Sequence, residues 1–290
     1  EVLVVIMLVF SDNSVVIDNL HGLWGVHAIP LYLALPFTIV AGVGIINAIN
    51  LIDGVDGLSS GYCIFAFILF AAFFYISGMY TNLILALAVI GGLIPFFMHN
   101  VFGKYSKMFI GDAGTLLLGT VMAYFVITAL DVELQKGTLN ENFGIIPMLL
   151  SILAVPVFDT LRVMVTRIIK GISPFNPDKT HLHHMFIRQG FSHIGTTISI
   201  LFLNTFVVVI WLTAYFSGCS IDLQLYVVTL INIAITVLLY QGVERAVAKA
   251  SRDKTDVPAA VKMLRSTGRK IGVQRGPFLK FMGRWMDRCI

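Results

Sequence analysis

The sequence predicts an all-α integral membrane protein that crosses the bilayer several times. Of its 290 residues, 57% are hydrophobic and only 12% are charged, whereas a soluble domain carries roughly 25% charged residues. Several apolar runs are about as long as one bilayer crossing, which takes ~20 residues. The basic residues are confined to alternate connections between these runs. Together these observations exclude an ordinary soluble domain.

Seven apolar runs predict full transmembrane helices when they are read with a window of about 19 residues. They cover residues 31–49, 61–77, 82–99, 115–130, 144–158, 196–216 and 223–242. The opening run EVLVVIMLVF predicts a partial helix in front of them, and it starts without Met or a basic segment. We therefore expect residues 1–242 to form a transmembrane domain that lacks its N-terminal helices, followed by a basic tail, 243–290.

The basic residues predict the orientation of this bundle. All Lys and Arg residues except Lys136 fall on one side, in loops 103–114 and 162–192 and in the tail. Since such residues stay cytoplasmic, these segments and residues 50–60 are expected inside, and residues 17–30 outside as a short hairpin or interfacial turn. The tail carries amphipathic basic pieces, which predict an interfacial helix on anionic lipid. No motif supports nucleic-acid binding.

The first inside loop, NAINLIDGVDGLSSG, holds a stripe of polar side chains. Asn47, Asn50, Asp53 and Asp56 recur every three residues, so a helical continuation of the preceding span would put them on one face. Helix capping is the ordinary role of Asn and Asp at a helix end, but one cap needs one residue. Carboxylates at membrane depth are costly and usually functional, so this loop is predicted to belong to a site.

The second inside loop, KMFIGDAGTLLLG, places Asp112 between two glycines at the start of a span. A capping role would explain Asp112 if it stood alone. Because the loop shares a face with the first cluster, we favour a Mg²⁺ position, in which a few oxygen ligands are completed by substrate phosphates.

The third inside loop ends in three histidines, His181, His183 and His184, in the run PDKTHLHH. Adjacent histidines without nearby cysteine are poor ligands for one tetrahedral zinc ion. Pairing with carboxylates, proton transfer near neutral pH and anion binding beside basic residues remain open at this point. Asp159, at the inner end of a span, is a further candidate, and Asn100 suits a cap or a site equally well.

Together, four motifs resemble the polyprenyl-phosphate N-acetylhexosamine-1-phosphate transferases. They are NLHGLWGV, NAINLIDGVDGL, FIGDAGTLLLG and PVFDTLRVMVTRIIKGISPFNPDKTHLHH, in family order over residues 19–190. The last motif looks like the branch that uses UDP-GlcNAc. The resemblance implies transfer of a sugar-1-phosphate from a UDP-N-acetylhexosamine to undecaprenyl phosphate, with release of UMP, in the bacterial inner membrane. It also implies Mg²⁺, or Mn²⁺ in its place, and a product that starts a cell-envelope polysaccharide.

The resemblance also implies residue roles. Asp112 and Asn50 would bind the metal, supported by Asp53; Asp56, Gly57 and Leu58 would recognise uracil, with Phe109 against the ring. Arg167 and the histidine loop would hold the diphosphate and sugar. The catalytic candidates are Asp53, Asp56, Asp112, His181, His183 and His184, and the substrate-binding candidates are Asn47, Asn50, Gly57, Leu58, Phe109, Asp159 and Arg167.

The sequence departs from the family at one feature, and two alternatives to the enzyme are open. The family carries adjacent aspartates on the helix before the outer hairpin, and no Asp-Asp pair occurs here, so residues 1–290 alone are expected to be inactive. A catalytically dead relative that binds UDP-sugar is one alternative, and a polytopic transporter is the other. The sugar, the downstream glycan and a homodimeric state are not specified by the sequence. The polar groups gather on inside loops instead of at mid-span, which favours the enzyme over the transporter.

Overall fold

The computed structural model describes residues 1–10, 16–103, 108–132, 142–176, 180–242 and 245. Within these residues the fold is helical, with one small antiparallel hairpin. In chain order the elements are α1 (Val2–Val9), β1 (Asn19–Leu23), β2 (Val26–Ala28), α2 (Leu31–Leu51), α3 (Leu58–Ile76), α4 (Tyr80–Phe102), α5 (Gly111–Leu130), α6 (Ile145–Ile152), α7 (Ala154–Ile169), α8 (Leu182–Arg188), α9 (His193–Phe216) and α10 (Ile221–Ile233), which continues into a π-helical turn, Ala234–Leu238.

Six helices in the described part of the chain are long and apolar enough to cross a membrane. They are α2, α3, α4, α5, α9 and the extended α10, Ile221–Gly242. The all-α multi-pass prediction is therefore confirmed, and α1 corresponds to the predicted partial helix. The seventh predicted span, 144–158, corresponds to the pair α6 and α7, which meet at 78° and are together long and apolar enough for one bent span.

A buried side chain from α9 explains how the chain tolerates this break. Asn204 Oδ1 accepts a hydrogen bond from Val155 N at 3.0 Å, and its Nδ2 donates to Ile152 O at 2.9 Å. Tyr62 Oη donates to the same carbonyl at 2.6 Å. Backbone groups that leave a helix inside a membrane must find other partners, and Asn204 and Tyr62 supply them. The break redirects α7, which carries three of the charged residues described below.

The core of the bundle lies between α3 and α5. Phe67, Phe70, Phe74 and Phe125 are fully buried, and the Phe125 ring lies 5.0–5.6 Å from the other three ring centroids. The neighbouring helix α2 approaches α5 closely at Gly119, where an added Cβ would lie 2.9 Å from the Ile46 backbone. Small residues permit such close contact between membrane helices. This packing fixes the inner ends of α2, α3 and α5 next to one another.

The hairpin predicted over residues 17–30 is confirmed as β1 and β2. Its turn is attached to the start of α10, because Trp24 N donates to Asp222 Oδ1 at 2.8 Å and Trp24 Nε1 donates to Tyr226 Oη at 2.9 Å. His21 Nε2 donates to Leu130 O, at the far end of α5 from Asp112. The hairpin therefore covers the end of the bundle opposite the acidic loops. The predicted tail, apart from Arg245, lies outside the described residues, as do Lys104, Lys107, Lys136 and Lys179.

Candidate active site

The first and second polar loops are joined by one buried amide. Asn100, near the end of α4, accepts a hydrogen bond from Gly57 N at 2.5 Å and donates one to Met108 O at 2.7 Å. Gly57 has a φ of +77°, and a Cβ there would lie 2.5 Å from Val101. Only glycine suits this turn. Asn100, which suited a cap or a site equally well in the sequence, is thus a bridge between the two loops.

A second hydrogen bond joins the inner ends of α2 and α5. Asn50 Nδ2 donates to Thr115 Oγ1 at 2.8 Å, one helical turn from Asp112. Thr115 is fully buried, whereas Asp112 is exposed on the first turn of α5. This bond uses the amide nitrogen of Asn50, whereas a metal would need the amide oxygen. The geometry therefore brings the two predicted metal ligands to the same corner of the bundle.

The carboxylates of the first loop form an acidic group with Asp112. Burial raises the pKa of Asp53; a hydrogen bond from Ser59 Oγ, at 2.8 Å, acts in the opposite direction, and the charges of Asp112 and Asp56 raise the pKa further. Asp56 also has a partner on α9, since His193 Nδ1 lies 2.8 Å from its Oδ2. A hard cation would relieve the repulsion between Asp53 and Asp112.

The histidine loop packs directly against the acidic loop. A Cβ added at Gly54 would lie 2.7 Å from His183 Nε2 and 3.6 Å from the His184 ring. The His183 and His184 ring centroids are 4.2 Å apart. The three loops that the sequence predicted to share one face therefore do meet at one end of the bundle.

Asp159 organises the start of the histidine loop. Its Oδ1 accepts two hydrogen bonds from Arg162, at 2.6 and 3.2 Å, and its Oδ2 accepts one from Leu182 N at 3.1 Å. The same Oδ2 lies 3.0 Å from His181 Nδ1. Both carboxylate oxygens of Asp159 are thus engaged and only 4% of the residue is exposed, so Asp159 positions Arg162, the Leu182 amide and the His181 ring.

The histidines differ in environment. His181 Nε2 is buried without a hydrogen-bond partner among the described residues, while its Nδ1 faces Asp159. Burial lowers the pKa of His183 to about 3, and the neighbouring His184 and His181 lower it in the same direction. An imidazole with that pKa is neutral at physiological pH. A neutral His183 favours a role through hydrogen bonding over binding an anion by charge.

Arg167 is placed at the edge of a cavity of about 240 Å³ on the inner half of α7. The residue is only 8% exposed, and its Nη1 donates to Pro174 O at 2.5 Å. The cavity is lined by Val163, Thr166, Arg167, Lys170, Ile172, Asn176 and Thr180. Arg167 thus binds the loop that follows α7 and holds it against that helix.

The remaining candidates are Leu58, Asn47 and Phe109. The Leu58 side chain is fully buried in the core. Asn47 Nδ2 donates to Val43 O at 3.0 Å and to Glu1 Oε2 at 2.5 Å. Phe109 is 75% exposed beside Gly111. An exposed ring at the edge of a polar site suits stacking against a flat ligand.

Sequence reasoning assigned no role in the site to Arg162, His193, Ser59 or Thr115. The contacts of His193 with Asp56 and of Thr115 with Asn50 join elements that are far apart in the chain. Of the four, Arg162 could have been found from the sequence, because it lies three positions after Asp159 on a helix, a spacing at which ion pairs are common.

The donor set suits Mg²⁺ better than zinc. Among the described residues, no three His, Cys, Asp or Glu side chains are grouped closely enough to hold a metal by themselves. Asp112 and Asn50 both offer hard oxygen donors. Asp53, whose pKa is raised in part by the charge of Asp112, adds a carboxylate oxygen nearby. A site with few protein oxygens fits an ion that takes the rest of its ligands from water and substrate phosphates.

Residues 1–130 match the family model of glycosyl transferase family 4. The chain is 31% identical over 192 residues to an undecaprenyl-phosphate alpha-N-acetylglucosaminyl 1-phosphate transferase of Escherichia coli O157:H7, covering 65% of this chain and 50% of that protein. It is 36% identical over 158 residues to the protein of that name from Yersinia pestis, covering 53% and 41%.

A probable undecaprenyl-phosphate N-acetylglucosaminyl 1-phosphate transferase of Bacillus subtilis is 33% identical over 176 residues, covering 61% of this chain and 46% of that protein. No solved structure matches the chain significantly. The chain spans about half the length of these curated relatives. The match over residues 1–130 and the similarity to undecaprenyl-phosphate GlcNAc-1-phosphate transferases confirm the resemblance predicted from the motifs.

Proposed function

We propose that the protein transfers N-acetylhexosamine-1-phosphate, in particular GlcNAc-1-phosphate, from a UDP-sugar to undecaprenyl phosphate. The observation that carries this proposal is the meeting of the acidic loop, the Asp112 turn and the histidine loop at one end of a membrane bundle. The names of the relatives supply the lipid acceptor and the sugar. The confinement of basic residues to this end supports a cytoplasmic active site in a bacterial inner membrane.

The reaction exchanges one phosphoanhydride for another. An oxygen of undecaprenyl phosphate attacks the phosphorus that bears the sugar, and the bond from that phosphorus to the bridging oxygen breaks. The leaving group is UMP, and the product is undecaprenyl-diphosphate-sugar. Such transfers depend on positioning and on neutralising charge at the phosphates, so the enzyme needs little covalent chemistry of its own.

Asp112 and Asn50 would hold Mg²⁺, or Mn²⁺ in its place, with Asp53 nearby. The ion, when bound, would neutralise charge on the diphosphate. Asp56 and the Gly57 turn would face the nucleotide, with Phe109 stacked on uracil. The histidine loop would close over the sugar end, with the His181 ring oriented by Asp159.

The test is UMP release from UDP-GlcNAc in proteoliposomes that contain undecaprenyl phosphate and the longest natural chain that includes these residues. We expect UMP with Mg²⁺, none with EDTA, and a loss of at least 100-fold in Asp112→Asn. The matched control is Asp222→Asn, the same chemical change at the opposite end of the bundle, which retains activity.

Two other results would decide against the proposal. Flux of a solute without UMP release would favour a transporter. Tight UDP-GlcNAc binding without turnover by that longest chain would favour a catalytically dead relative.

A further inference from the structure

The inner end of the last span places an aromatic ring over the buried cation of the histidine network. The Cζ atom of Arg162 lies 4.4 Å from the centroid of the Tyr240 ring. Arg162 is 8% exposed, and its Nη1 has no hydrogen-bond partner among the described residues. The face of an aromatic ring attracts a guanidinium, and more strongly when both are shielded from water. Tyr240 therefore stabilises a cation that hydrogen bonds satisfy only in part.

A local irregularity of α10 brings Tyr240 to this position. The helix changes to a π-helical turn at Ala234–Leu238, two residues before Tyr240, and this turn packs against α7. A π-turn adds one residue to the helix, so the following residues are rotated by about 100° relative to an uninterrupted α-helix. Such turns are frequent at functional sites. The π-turn thus selects which residue of the last span faces Arg162.

From Arg162 the contacts continue without a gap to the histidine loop. Arg162 Nη2 donates to Asp159 Oδ1 and to Thr180 O, at 2.6 and 2.7 Å. Asp159 Oδ2 in turn holds Leu182 N and lies against His181 Nδ1. A shift of the guanidinium would therefore move both the carboxylate and the first residues of α8.

We propose that Tyr240 is a positioning residue for the histidine loop, acting through Arg162 and Asp159 on His181. Its effect on catalysis rests on the proposed function, whereas its effect on the His181 environment does not. The last span, the extended α10, then helps to position the active site, although none of its residues belongs to the acidic or histidine loops.

The first readout needs no activity. In the detergent-purified chain, carbethoxylation of His181 by diethyl pyrocarbonate is followed by peptide mass spectrometry. Wild-type His181 is buried and reacts slowly; Tyr240→Leu, which lacks the ring face, is expected to react about tenfold faster. Tyr240→Phe keeps the ring and reacts like wild type. The control Tyr226→Leu changes a tyrosine at the other end of the same helix and leaves the rate unchanged.

The second readout is UMP release by the longest natural chain. For Tyr240→Leu we expect kcat to fall about tenfold, which corresponds to about 1.4 kcal/mol, with KM for UDP-GlcNAc changed less than twofold and full recovery in Tyr240→Phe. Tyr240→Met replaces the Leu variant if that protein is not monodisperse.

The two readouts separate the two proposals. Equal His181 reactivity in Tyr240→Leu and wild type would overturn the positioning role. A changed reactivity in a protein that never releases UMP would uphold the positioning role and overturn the transferase.

Discussion

Asp159 Oδ2 lies 3.0 Å from His181 Nδ1, while its Oδ1 is bound to Arg162. The carboxylate thus joins the inner half of α7 to the start of α8, and it is almost fully buried. A buried ion pair that loses one member leaves an uncompensated charge, which costs about 3–5 kcal/mol. Asp159 and Arg162 are therefore expected to act as a coupled pair in both stability and activity.

Replacement of Asp159 by leucine tests this coupling between Asp159 and Arg162. We expect Asp159→Leu to destabilise the protein by about 3–5 kcal/mol, because the Arg162 charge stays buried without its partner. The double variant Asp159→Leu/Arg162→Met removes both charges and is expected to be more stable than Asp159→Leu alone. Denaturant unfolding of the detergent-solubilised chain measures this; additive losses in the double variant would contradict a coupled pair.

Asn204→Leu is expected to destabilise the protein by about 2–4 kcal/mol. The substitution leaves Val155 N and Ile152 O with fewer partners at the break between α6 and α7, and a buried unsatisfied group costs about 1–3 kcal/mol. The neighbouring Thr205→Val removes an exposed hydroxyl that bonds only within α9, so its effect should stay within about 0.5 kcal/mol. Similar unfolding midpoints for the two variants would show that Asn204 does not support the break.

Gly54→Ala tests the contact between the acidic and histidine loops. The added methyl would lie 2.7 Å from His183 Nε2, so one of the loops must move, at a cost of about 1–3 kcal/mol. We expect a matching loss of UMP release. Gly44→Ala, on the preceding helix α2 with open space around it, should be neutral or slightly stabilising, since alanine favours a helix. Equal activities of the two variants would separate the histidine loop from the site.

The low pKa of His183 predicts a pH dependence of stability. Between the pKa of about 3 in the folded protein and about 6.5 in the unfolded chain, the unfolded state binds more protons. Stability from this group is therefore complete above pH 6.5 and is lost as the pH falls toward 3. We expect the unfolding midpoint of wild type to fall between pH 7 and pH 5, and to fall less in His183→Gln. Parallel curves for the two proteins would show that His183 is not held neutral by burial.

The fold was largely predictable from the sequence, because apolar runs and basic loops follow directly from the chemistry of the bilayer. The exception is the bend within the span predicted over 144–158. The bend depends on Asn204 and Tyr62, which lie on other spans, and no local pattern reveals that they bond to the broken backbone. The three polar loops were also predictable as groups. Their internal contacts were not: Arg167 Nη1 donates to Pro174 O, and the Leu58 side chain is buried in the core, and neither contact follows from a local pattern.

The most direct test of the transferase follows the phosphate attached to the sugar. UDP-GlcNAc labelled with ³²P at that phosphorus is supplied to proteoliposomes containing undecaprenyl phosphate and the longest natural chain, with Asp112→Asn as control. Transfer of GlcNAc-1-phosphate predicts that the label moves into the lipid fraction in step with unlabelled UMP. Label that stays in the aqueous nucleotide, with or without sugar in the lipid, would contradict sugar-1-phosphate transfer and with it the proposed function.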